Sequence, residues 1–171
     1  MGKVEMEMPD RIIDTPIESL PFIDEHWIEI AATPDVVWNA LMSTVRHASE
    51  ARSGVPISRA LGCEETAVEG AAGEIGSTLP GFVVTRSVKP AVLAMMGQHR
   101  FSRYALIFSI LEKPSGLMLL SAQTRAEFPG RKGTAYRTLV IRSRGHVLAT
   151  TQILRQVRRR AERAHARPAE A

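Results

Sequence analysis

The chain has 171 residues, 44% of them apolar and 23% charged, with a formal net charge of +4 and one cysteine. This suits one soluble globular domain with a real core; no apolar run nears the roughly 20 residues of a membrane-spanning helix, and residues 1–14 are too acidic for a signal peptide. The lone Cys63 excludes an internal disulfide and a cysteine zinc site, reads as a small buried hydrophobe, and makes a cytoplasmic protein the simplest fit.

The charge is unevenly spread. Residues 1–35 hold two basic and nine acidic residues, net −7, whereas residues 131–171 hold eleven basic and two acidic ones, net +9. Such asymmetry invites a nucleic-acid or membrane-surface reading. The basic residues, however, are strung along one predicted helix, and the acidic start is available to neutralise them. A solvated helix face is the plainer expectation, with a weak contact between that arginine-rich helix and an anionic surface as a further one. Nucleic acid is not expected: aromatics are only 5% and show no basic–aromatic interleaving.

Residues 1–20 carry two prolines and no sustained period, and read as an arm. From residue 22 to 31, His26, Ile28 and Ile30 alternate with Trp27 and Glu29, the period of a half-buried strand. Thr33-Pro34-Asp35 supplies a helix start, and Val36, Val37, Ala40 and Leu41 give a short amphipathic helix ending near Thr44, with Trp38 as a core residue. Residues 45–62 are irregular, with Gly54-Val55-Pro56 as a break and one helical turn over 57–61. Strands are predicted over 63–69, 79–88, 91–98, 103–111 and 117–128, separated by Gly70, Gly73 and Gly76, by Lys89-Pro90 and by the turn cluster at 112–116. Even spacing and short turns make this an antiparallel meander. Arg125 and Glu127 share one face of the last strand as an exposed charge pair.

From Thr134 to about Arg163 the period turns helical. Tyr136, Leu139, Val140, Ser143, Val147, Leu148, Thr151, Leu154 and Val157 form one stripe, with the arginines mostly off it. About 30 residues at 1.5 Å each exceed the width of the sheet, so the turns after Arg158 are expected to protrude or fray. The fold class is therefore α+β: a curved antiparallel sheet of six or seven strands around a long C-terminal helix, with short helices after the first strand. Residues 21–163 form the domain, and residues 164–171 a tail. A bent sheet cannot lie flat on one helix, so a gap opens between them.

The opening His26-Trp-Ile-Glu-Ile-Ala-Ala-Thr-Pro-Asp-Val-Val-Trp38 resembles the first strand and helix of the START-like, or SRPBCC, superfamily, which includes the birch-pollen allergen, lipid-transfer START domains and polyketide cyclases. The run Gly97-Gln-His-Arg-Phe-Ser-Arg-Tyr104, with Ala126-Glu-Phe-Pro-Gly130 and the terminal helix, is similar to a bacterial branch of unassigned function. The resemblance spans residues 22–163. It implies a helix-grip fold with a cavity for a lipid, polyketide or aromatic compound, and it carries no catalytic set.

The expected lining of that cavity is Phe82, Val84, Arg86, Met95, His99, Tyr104, Leu106, Phe108, Tyr136, Leu139, Val140, Ser143 and Val147. His99 and Tyr104, brought close by a hairpin, are candidates for proton shuttling and for a hydrogen bond to a ligand carbonyl. Arg86 is in phase with Phe82, Val84 and Val88, so either a cation lies on an apolar face, paired with a ligand anion, Glu65 or Glu127, or it is simply wet. Met95 and Met96 are adaptable fillers. No GxGxxG after a strand, P-loop, HExxH or GxSxG is present, and the five histidines show no paired metal spacing, so no cofactor and no metal are expected.

Three functions follow. The leading one is binding or transport of a small apolar ligand. A cyclase or dehydratase-type enzyme would use the same cavity with His99, Tyr104 or Arg86. An interaction protein would use the basic helix on an anionic surface. Either a monomer or a homodimer fits.

Overall fold

The computed structural model describes residues 16–52, 69–71, 73–99, 102–130 and 145–166. In chain order, a single 3-10 turn at Ile17–Ser19 leads into β1 (Phe22–Ile30) and α1 (Pro34–Arg52). Then come β2 (Thr78–Leu79), β3 (Phe82–Val88), β4 (Val92–His99), β5 (Ser102–Glu112) and β6 (Met118–Glu127), and finally α2 (Gly145–His165). The six strands form one antiparallel sheet in the order β1-β6-β5-β4-β3-β2. That sheet order, with one helix after the first strand and a last helix packed on the sheet, makes this a helix-grip fold. No described helix is long and apolar enough to cross a membrane.

The alternation read in the first strand holds. Ile30 is fully buried, Ile28 packs on the core, and Trp27, on the alternate phase, is exposed. The Thr-Pro-Asp start also holds: the Val37 N–H donates to the Thr33 carbonyl at 3.0 Å, and Asp35 sits in the first turn, where the helix dipole favours an anion. The helix itself is longer than expected. It passes Thr44 and ends at Arg52, because Thr44 and Val45 continue the buried stripe of Val37 and Leu41. The Thr44 hydroxyl donates back to the Ala40 carbonyl at 2.8 Å, so a residue read as a stop is accommodated inside the helix.

The expected strand at 79–88 is two strands. Pro80-Gly81 closes a tight hairpin in which Thr78 pairs with Val83 and Leu79 with Phe82, and Gly81 takes the positive φ that the turn requires. The strand expected at 63–69 lies outside the described residues except for Glu69, which bridges to Thr78. Among the described residues the sheet has six strands.

The last helix corrects a second expectation. Its stretch before Gly145 lies outside the described residues, but its far end is docked. Ala161 is fully buried beside Leu154 and Val157, and Arg160 Nη1 donates to Ser43 Oγ at 2.8 Å, tying the helix to α1. A small side chain at position 161 lets the two helices approach, which the length argument did not consider.

On the side of the sheet away from the helices, Leu20 and Ile17 cover Met96 and Ala105. Arg125 holds that cover in place: its guanidinium donates to the carbonyls of Leu20 (2.9 Å) and Glu18 (3.4 Å). The expected pair with Glu127 does not form. Glu127 faces Arg103 instead, at 3.7 Å, because those two residues are opposite in register.

Ala161→Glu is expected to lower stability by about 2 kcal/mol or more, since it places a charge in a closed helix–helix contact. Urea denaturation checks this, and a midpoint equal to the parent's would mean that the helix end is not docked.

Candidate functional site

Antiparallel register aligns side chains into rows across the helix-facing side of the sheet. One row runs Asp24, Thr124, Leu106, Met95, Val84. The next runs His26, Ala122, Phe108, Leu93, Ser87. Ala126, Tyr104 and Gly97 make a third, on the far side of the first.

Burial is graded along these rows. Phe108, Leu93, Val84, Met95 and Ala122 are closed in the core with Leu154 and Val157 of α2. Leu106, Tyr104, Phe82, Thr124 and Asp24 are only half-buried although they lie on the same side. The expected lining residues therefore divide. Val84, Met95 and Phe108 are core, while Phe82, Tyr104 and Leu106 form a contiguous, incompletely covered apolar patch. Val147 is half-buried on α2. His99 ends β4 opposite Ser102. Tyr136, Leu139, Val140 and Ser143 lie outside the described residues.

Arg86 is not on this side. The register shifts between Val84 and Arg86: Val84 pairs with Met95, but Arg86 pairs with Ala94, whose neighbour in phase is Met96 on the opposite side. This β-bulge inserts one residue, and every position after it changes face. Arg86 is exposed, and the wet reading of its cation is the right one.

Tyr104 acts as a brace. Its hydroxyl donates to the Gly81 carbonyl at 2.8 Å, and its ring meets Phe82 edge-on, with centroids 5.1 Å apart and planes at 84°. To reach that carbonyl the ring crosses β4 over Gly97. A methyl group at Gly97 would sit 2.0 Å from the Gly81 oxygen and 2.5 Å from the Tyr104 ring, so only glycine fits there. Tyr104 thus ties β5 to the β2–β3 hairpin and shapes one end of the patch.

The opposite end is polar. Asp24 and His26 project from β1 on the helix-facing side, with His26 Nε2 and Asp24 Oδ2 3.5 Å apart. His26 Nε2 is buried and makes no hydrogen bond among the described residues. An imidazole nitrogen can donate to, or accept from, a polar group brought against it. In the sequence His26 marks only the phase of the strand. The same phase, shared with Ile28 and Ile30, already puts it and Asp24 on the apolar side.

Beside this pair a groove of about 460 Å³ opens between β1 and α2. Glu25, His26, Trp27 and Ile28 form its strand wall, and Thr151, Leu154, Arg155 and Arg158 its helix wall. Among the described residues no group of three or more His, Cys, Asp or Glu side chains is placed to hold a metal ion.

No family model matches the sequence, and no curated protein matches it. Solved structures do. A protein from Nitrosospira multiformis matches at 11% identity and a TM-score of 0.48, over 81% of this chain and 94% of that one. Truncated norcoclaurine synthase from Thalictrum flavum matches at 12% identity and 0.47, over 79% and 93%. A conserved protein from Geobacillus kaustophilus matches at 17% identity and 0.47, over 82% and 95%. At such identities and TM-scores these likenesses assign no residue and no activity to this chain. The helix-grip assignment rests on the sheet order and helix placement described above.

Tyr104→Phe is expected to cost about 1 kcal/mol, the worth of one hydrogen bond. Gly97→Ala is expected to cost about 3 kcal/mol, because the added methyl meets backbone that cannot move aside. Denaturant unfolding of both variants checks the brace, and a Gly97→Ala protein as stable as the parent would refute it.

Proposed function

We propose that the protein binds a small apolar ligand against the half-buried patch of Phe82, Tyr104 and Leu106, between the aromatic brace and the Asp24–His26 pair. The observation that carries this reading is the burial gradient. From the closed Val84, Met95 and Phe108, burial falls to the half-buried but still apolar Leu106, Tyr104 and Phe82, and a partly covered apolar surface inside a fold is a place for a guest. Burying it gains roughly 25 cal/mol per Å² of apolar area, while the few polar groups at the edge would set orientation.

Binding is preferred to cyclase or dehydratase chemistry. That chemistry needs at least two of His99, Tyr104 and Arg86 to converge. Arg86 faces away, and the Tyr104 hydroxyl is donated to a backbone carbonyl.

Leu106→Trp separates a guest site from ordinary packing. If the patch borders a space, the larger ring fills it. Affinity for the neutral fluorescent probe N-phenylnaphthylamine then falls about tenfold or more, equivalent to about 1.4 kcal/mol, at little cost in stability. If the interior is solid, the ring overpacks it and stability falls by about 1–3 kcal/mol instead. Probe titration together with urea denaturation distinguishes the two. Absence of probe binding by the parent protein would sink the reading outright.

A further inference from the structure

Among the described residues, the side of the sheet away from the helices is covered only where Leu20 and Ile17 lie over Met96 and Ala105. Strand pairing places Phe22, Trp27, Val88 and Leu111 on this same side. They are 56%, 64%, 46% and 61% exposed, and they make up four of the six large apolar side chains that stand exposed among the described residues. Single exposed apolar residues need no explanation, but four on one face of one sheet mark a contact surface.

Two neighbouring rows cross that face from β1 to β3, with β5 at their centre. One runs Trp27, Ser121, Ser109, Val92, Val88, with large apolar side chains at its ends and two serines between them. The other runs Glu25, Gln123, Ile107, Ala94, Arg86, with an acid at one end and a base at the other. Glu25 and Arg86 are both exposed, and neither is in an ion pair among the described residues. They stand four strand spacings apart, about 19 Å, too far to meet within one chain. Such a row is complementary to itself turned end for end.

We propose that this face binds a second copy of the chain, about a two-fold axis parallel to β5. That axis sets β1 of one copy over β3 of the other and leaves each row facing itself reversed. Trp27 then meets Val88 of the partner subunit, and Glu25 meets Arg86 of the partner subunit. Leu111, on β5 itself, meets Leu111 of the partner subunit. The end-to-end charge reversal is what selects a copy of this chain, because an unrelated partner requires no such symmetry. From Ile107 to Leu111 and from β1 to β3 the surface spans about 13 Å by 19 Å. That is the scale of a weak, reversible contact, so a dimer that dissociates at about 10–100 μM is expected.

Sedimentation velocity of the full-length chain across and above that concentration range tests the proposal. The W27S/L111S variant should stay monomeric at every concentration at which the parent dimerises. E25R and R86E each set like charges opposite one another and should each weaken the dimer about tenfold or more. Combined in one chain, E25R/R86E restores opposite charges at both contacts and should return the parent's affinity. Urea denaturation separates lost association from lost folding, and if W27S/L111S does not fold, the charge series decides alone. A parent that is monomeric throughout overturns the proposal, whether the face is then bare or taken by residues 1–15 or another protein. So does a dimer that W27S/L111S leaves intact, or a charge-swapped chain that associates no more tightly than the single variants.

Discussion

The position of the last helix governs what the rest of the fold can do. Through Leu154, Val157 and Ala161, α2 closes on α1 and on β1 and touches β6 only lightly. A helix has one apolar stripe, and here it is committed to one side of the sheet. Under that stripe the packing is complete, around Phe108, Leu120 and Ile30. Towards Leu106, Tyr104 and Phe82 burial falls away. Among the described residues, the half-open patch lies beyond the part of the sheet that α2 covers.

The two ends of the patch differ in kind. At one, a phenol, a phenyl ring and a bare glycine lock strands together, so that end is rigid and its polar group is occupied. At the other, a carboxylate and an imidazole stand on the edge strand, beside a groove whose far wall carries Arg155 and Arg158. For the guest proposed above, one braced aromatic end and one polar end would set its direction. Shape alone, in an apolar chamber, discriminates weakly.

Much of the architecture was legible because local periods survive folding. The alternation around Ile28 and Ile30, the Thr33-Pro34-Asp35 start and the even spacing of strands depend on nearest neighbours, and they hold. What was not legible depends on partners distant in sequence. Arg86 looked inward because period-two counting assumes an unbroken ladder, and the slip that turns it outward is set by its pairing with β4. The Tyr104 hydroxyl finds a carbonyl 23 residues away, and nothing near either residue announces it. Ala161 looked like part of a fraying end, because a small residue at a close helix crossing has no signature of its own. Asp24 and His26 were visible in phase but polar, and polarity in an edge strand usually means solvent.

Arg125 has a consequence for the back of the sheet. By gripping the carbonyls of Glu18 and Leu20 it fastens a short strip of chain over Met96 and Ala105, the apolar cluster on that side of the sheet. The strip lies early in the sequence and is held by main-chain oxygens, so its hold is indifferent to which side chains stand at positions 18 and 20. Loss of the strip through Leu20 would uncover Met96 and Ala105 and leave apolar surface open to contact with another molecule.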